Sequence, residues 1–111
     1  MSECVFCKIV SGEIPSNKIY EDEKVMAFYD IAPKAPVHFL IIPKQHISGV
    51  DRIDGTNSKI ISEIFETITK VAADLGVDSY RVVTNNGTQA GQTVFHLHFH
   101  VLGGGPLGDM A

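Results

Sequence analysis

At 111 residues, 44% of them hydrophobic and 20% charged, the chain has the size and composition of a single globular domain, residues 1–111, able to bury its own core. A formal charge of -4 excludes a broad basic footprint for a nucleic-acid polymer and leaves small anionic ligands held by a local cluster of donors. No run reaches the length of a membrane span, and residues 1–10, with Glu3 and Lys8 among them, lack the order of a secretory signal, so no membrane partner and a cytoplasmic location are expected.

Residues 4–11 carry Val5, Phe6, Ile9 and Val10 at near-helical spacing, which predicts a short helix ended by Gly12. Residues 18–21 and 25–30 are β-type runs around the acidic turn Glu21-Asp22-Glu23-Lys24 and predict a hairpin. Pro33 and Pro36 bracket a loop; residues 37–42 then form an apolar run that stops at Pro43, as expected of a central strand covered on both faces, with His38 its one polar member. A turn over residues 51–58 leads into a long helix with Asn57 or Ser58 near its N-cap. Its apolar stripe runs through Ile60, Ile64, Ile68, Val71 and Leu75, flanked by Ile61, Phe65 and Ala72, and Gly76 ends it. Residues 80–84 read as a strand, residues 85–92 as a glycine-containing turn, residues 93–102 as the last strand, and a Gly-rich tail follows. With no internal repeat and short links that suit antiparallel pairing, the fold class is α+β: about five antiparallel strands, one short N-terminal helix and one long helix.

The last strand carries the chemistry. His96, His98 and His100 recur at every second position, so in an extended strand they share one face while Phe95, Leu97, Phe99 and Val101 share the other. Side chains two apart lie about 6.5 to 7 Å from one another at Cα. Imidazoles this close repel when charged, and histidine titrates near pH ~6.5, so most of the row is expected to be neutral near pH 7. A neutral imidazole serves as nucleophile, base or metal ligand. A solvated polar face is the bland alternative, but strict alternation behind a glycine-containing turn marks a site.

His96-Leu97-His98-Phe99-His100-Val101-Leu102 resembles the motif that names the histidine triad (HIT) family. Phe28-Tyr29-Asp30-Ile31-Ala32-Pro33, and the run from Pro36 through His38 to His46, are similar to that family's first block. Gly91-Gln92-Thr93-Val94 before the triad and Val101-Leu102-Gly103-Gly104 after it look like the Hint branch rather than the Fhit branch. The resemblance implies nucleotidyl transfer from a purine nucleoside 5′-phosphoramidate, with AMP- or GMP-type products, through a nucleotidyl-histidine intermediate. His98 is the nucleophile and His38 supports it, while His100 meets a phosphoryl oxygen; His100 and Thr93 compete as proton donor to the leaving group. Asn85, Gly91, Gln92 and Thr93 fall at the phosphate turn, where glycine admits backbone N–H groups and amides add uncharged donors. Those residue types also make ordinary turns. Asp30 matches the carboxylate that accepts the ribose hydroxyls, and Phe6, Ile9, Phe28, Ile31 and Leu40 match the apolar positions around the purine.

The two cysteines, Cys4 and Cys7, make a C-x-x-C pair that suggests metal or redox chemistry. With His46 and His96 they match a closed tetrahedral Cys₂His₂ zinc site, used by many HIT relatives, in which His96 is structural. A redox role is weaker, because Val5 and Phe6 supply no positive neighbour to lower a thiol pKa. The resemblance also implies a homodimer with one continuous sheet across both protomers. The rival functions are a dinucleoside polyphosphate hydrolase of the Fhit type, a non-catalytic nucleotide-binding interaction protein, and a metal-sensing or storage module. A metal store needs neither a ribose acceptor nor a phosphate turn. The tail over residues 103–111 departs from the Hint pattern, lacking its aromatic and basic residues.

Overall fold

In the computed structural model, which describes residues 3–110, the local signals resolve into two helices packed on an antiparallel sheet. Cys4 caps helix α1 (Val5–Ser11) by accepting the Cys7 N–H, and Gly12 closes its other end. Strands β1 (Lys18–Glu21) and β2 (Val25–Tyr29) form the expected hairpin. Its turn is held by the Asp22 carboxylate, which accepts the N–H groups of Lys24 and Val25. Strand β3 (Val37–Pro43) is followed by the long helix α2 (Lys59–Asp74), then β4 (Tyr80–Val83) and β5 (Phe99–Gly103). Short 3₁₀ turns lie at Val50–Arg52 and Thr88–Ala90. Ser58 takes the N-cap position of α2 without a side-chain cap bond, while Asn57 ties the preceding turn by accepting the Asp54 N–H and donating to the Arg52 carbonyl.

The order across the sheet is β1-β2-β3-β5-β4, so the last strand is inserted between β3 and β4. Strand alternation gives the sheet two different faces. Val25, Ala27, Phe39, Ile41, Leu97, Phe99 and Val101 point toward α2 and close the main core with Ile64, Ile68 and Val71. Met26, Phe28, Leu40 and Ile42 point the other way, where Phe6 of α1 covers them. Helix α1 covers this second face only in part, and the site lies beside it.

The final strand departs from expectation. Pairing begins only at Phe99; the segment before it, which carries His96 and His98, lies outside the ladder and bends at residues 94–96. Continuing the β3–β5 register from Ile41 opposite Phe99 would set Pro43 opposite Leu97, and proline has no N–H to offer. The Leu97 N–H bonds instead to the carbonyl of Ile47, beyond β3. The alternation persists: Leu97, Phe99 and Val101 are buried under α2. Phe95, expected on that same face, is half exposed.

Candidate active site

Strand pairing brings the polar residues of the second face together. Leu40 lies opposite His100 and His38 opposite Leu102, so His38 and His100 are diagonal neighbours on adjacent strands. Asp30, one residue beyond β2, is held to β3 by its own N–H on the His38 carbonyl, and its Oδ1 accepts the Ala32 N–H. Its other oxygen stands 3.5 Å from His38 Nε2 and 3.9 Å from His100 Nδ1. These groups border a cavity of about 580 Å³ that also takes in Lys34, Arg81, Asn85, and Asp109 and Met110 of the tail.

Hydrogen bonds to backbone groups of fixed polarity set the tautomers. The Lys34 N–H can only donate, so His38 Nδ1 accepts it at 3.0 Å and the ring proton sits on Nε2. His38 Nε2–H then donates to His100 Nδ1 at 2.9 Å, which leaves the His100 proton on its own Nε2. His98 Nδ1–H donates to the His96 carbonyl at 2.7 Å, so its Nε2 carries a free lone pair. Burial holds His38 below the ordinary histidine range, with Asp30 pulling up and Lys34 pushing down. Burial, with His98 and His38 adding to it against Asp30, brings His100 down to about 4. Both rings are therefore neutral at pH 7, and the approach of Asp30 is not an ion pair. Asp30, His38 and His100 are close enough to suggest a metal trio, but the proton on His38 Nε2 occupies the atom a metal would need.

His98 is buried, its ring edge-on to Phe6 at 5.1 Å between centroids and to His100 at 5.2 Å. Phe6, Phe28 and Leu40 form one apolar cluster beneath the site, with Ile9 packed on it. Ile31, expected among them, stands fully exposed in the loop after Asp30. Gly91 adopts φ 99°, a left-handed conformation that explains the glycine in the turn. Gln92 differs from expectation. Its side chain is buried and already engaged, accepting the Gly87 N–H and donating to the carbonyls of Ser48 and Val94, so it holds the turn rather than facing the cavity. Thr93 is exposed and lines a separate depression beside Cys4 and His46.

Cys4, Cys7, His46 and His96 come together from both ends of the chain, their donor atoms within 4.8 Å of one another. Cys4 Sγ lies 3.4 Å from His96 Nδ1, Cys7 Sγ 3.6 Å from the same atom, and Cys7 Sγ 3.3 Å from His46 Nδ1. A tetrahedron with metal–sulfur bonds of about 2.3 Å and metal–nitrogen bonds of about 2.05 Å has S–N edges of about 3.6 Å, so the set fits a metal ion. His96 Nε2–H donates to the Pro43 carbonyl at 2.7 Å, which turns the Nδ1 lone pair toward the thiols. Burial, followed by the neighbouring Cys4, raises the Cys7 thiol pKa, and a bound cation would oppose both effects.

A model of the HIT domain matches residues 11–107. The chain belongs to the HIT family. It is 44% identical over 108 residues to an uncharacterized HIT-like protein of Chlamydia trachomatis, covering 96% of this chain and 97% of that one. A HIT family hydrolase from Clostridium thermocellum superposes with a TM-score of 0.96 at 53% identity, covering 99% and 97% of the two chains. A histidine triad nucleotide-binding protein from Candida albicans superposes at 0.82 with 36% identity, covering 98% and 84%. The fold is thus the one used by HIT hydrolases and nucleotide-binding proteins, and no described helix is long and apolar enough to cross a membrane.

Sequence reasoning missed the backbone of Lys34, the side chain of Arg81 and the hydroxyl of Thr84. Arg81 carried a signal, being the one charge in an otherwise apolar strand. The other two act through contacts that exist only once strand ends are known.

Proposed function

We propose that this HIT domain hydrolyses purine nucleoside 5′-phosphoramidates through a covalent nucleotidyl-His98 intermediate and releases the nucleoside monophosphate. The observation that carries this reading is the His98 Nδ1–H bond to the His96 carbonyl, which leaves Nε2 with a free lone pair on a ring packed against His100, itself a lining residue of the cavity. Nε2 forms a bond to the α-phosphorus as the phosphorus–nitrogen bond breaks, and water then displaces the imidazole to give the monophosphate. His100 presents Nε2–H to a phosphoryl oxygen. Its Nδ1 already accepts from His38, so a second proton on that ring would meet the His38 proton head-on. The relay therefore supports a hydrogen-bond role for His100 at the phosphoryl group. The departing nitrogen takes its proton from water, directly or through the Thr93 hydroxyl, which regains from that water the proton it gives.

Asp30 would accept the ribose hydroxyls with its free oxygen, and Asn85 and Gly91 would meet the phosphate at the turn. Phe6, Ile9, Phe28 and Leu40 would floor the base pocket, with Ile31 closing over the purine once it binds. Zinc at Cys4, Cys7, His46 and His96 would tie α1 to the triad segment; its role there is structural and no chemical step passes through it. The whole chain acts as one domain, in a cytoplasmic homodimer whose sheet continues across both protomers.

The test is to supply adenosine 5′-phosphoramidate and an adenosine dinucleoside polyphosphate in parallel and to follow AMP, with His98→Ala as control. Release from the phosphoramidate that the variant loses is expected. Release chiefly from the dinucleotide points to the Fhit-type reaction, and turnover surviving in His98→Ala overturns the mechanism.

A further inference from the structure

We propose that Thr84 is a positioning residue for the reaction, its hydroxyl fixing the main chain of His98 where the sheet no longer does; this rests on His98 being the nucleophile. Pairing of β3 with β5 stops at Ile41 opposite Phe99, and pairing of β4 with β5 stops at Val83 opposite His100. His98 is therefore the first residue outside both ladders, and its position is not set by sheet hydrogen bonds. Thr84, directly after β4, donates from Oγ1 to the His98 carbonyl at 2.7 Å.

That bond does what the next rung of the ladder would have done. Fixing the carbonyl fixes the peptide plane between residues 98 and 99, and with it the direction in which the His98 side chain leaves the chain. The ring has a tether of its own, Nδ1–H on the His96 carbonyl at 2.7 Å, on the side opposite Nε2. One bond on the main chain and one on the ring define where Nε2 points, and an in-line attack on phosphorus depends on that direction. The run Tyr80-Arg81-Val82-Val83 would extend naturally with another β-branched residue. Valine would fill the same space as Thr84 and lack only the donor, so the hydroxyl itself is the element to test.

The experiment compares Thr84→Val and Thr84→Ser with the parent protein on adenosine 5′-phosphoramidate, separating kcat from KM, and records ring ¹⁵N spectra of the histidines in all three. Misplacing a reacting group costs up to about a hundredfold, so Thr84→Val is expected to lose about tenfold in kcat with KM within about twofold, and Thr84→Ser to recover most of the loss. The His98 ring, a single Nδ1-protonated tautomer in the parent, becomes a mixture in Thr84→Val and returns to one form in Thr84→Ser. Parental kcat in Thr84→Val, a loss confined to KM, or a loss that serine does not restore would each overturn the assignment. If the parent releases no AMP, the hydrolase reading fails on its own account. The ring spectra then decide whether Thr84 positions His98, an unchanged spectrum in Thr84→Val ruling it out.

Discussion

His38 Nε2 donates to His100 Nδ1 across 2.9 Å, and because the Lys34 N–H occupies the other His38 nitrogen, this bond has only one direction. A hydrogen-bond chain begun by a backbone amide therefore ends on the His100 Nε2–H. Adding a proton anywhere in it costs a hydrogen bond, which agrees with both rings being held below the ordinary histidine range.

That depression makes folding stability pH-dependent. His100 takes up its proton at about 4 in the folded protein, against about 6.5 for an unperturbed histidine. Between these values the unfolded chain holds a proton the folded chain lacks, so stability is full above about pH 6.5 and declines as pH falls toward 4. His38 acts in the same sense. Carboxylates held low by hydrogen bonds, such as Asp54 with Thr56, add their loss only at more acidic pH. Scanning calorimetry should show the melting temperature falling from pH 7 to 4.5, with a shallower fall in His100→Asn. A flat profile over that interval would mean that the histidines are not depressed.

Removing His38 tests the relay from its other end. His38→Leu takes away one group that lowers the His100 pKa and leaves Asp30, which raises it, in place. The His100 pKa should then move upward from about 4 in an NMR titration. Turnover should fall, since the His100 proton is no longer confined to Nε2. A His100 titration unmoved by the change would show that burial alone sets it.

The cysteine and histidine cluster predicts one zinc per chain and a loss of stability on chelation. A site held at roughly a thousand times its dissociation constant contributes about 4 kcal/mol, so the melting temperature should drop by many degrees and recover when zinc is returned. Cys7→Ser should lower both zinc content and stability. Substitution of cobalt for zinc gives a spectrum diagnostic of tetrahedral thiolate ligation. Full zinc content in a Cys4→Ser, Cys7→Ser double variant would place the metal elsewhere.

Most of the fold was legible because its signals are local. The stripe from Ile60 to Leu75 and the apolar run ending at Pro43 each correspond to one element with one buried face or two. The triad strand is shorter than its alternation predicts because a period of two reports which side chains are buried, not whether the backbone pairs; residues 94–96 bend, and the pairing stops at Ile41, short of Pro43 on the neighbouring strand. Gln92 was placed at the ligand because its residue type suits a phosphate turn, yet Ser48, distant in sequence, claims its amide. Ile31 was grouped with the apolar pocket by its place in the block, although the loop after Asp30 turns it outward. For the strand and for Gln92 the deciding contact joins segments far apart in the chain; for Ile31 it is the path of the loop itself.

Gln92 offers a prediction that separates holding a site from forming it. The side chain is buried and bridges the turn at Gly87 to the carbonyls of Ser48 and Val94. Gln92→Leu keeps the volume and removes all three bonds, leaving part-buried backbone groups without their partners at a cost of about 1–3 kcal/mol for each that water cannot reach. The turn carries Asn85 and Gly91, so its loosening should also weaken nucleotide binding. Gln92→Glu retains an acceptor for the Gly87 N–H but sets a carboxylate against two carbonyl oxygens, and it should be at least as damaging. Urea unfolding and AMP titration of both variants provide the check. If Gln92→Leu kept full stability but bound AMP weakly, the amide would be acting at the ligand after all, and the clamp described here would be incidental.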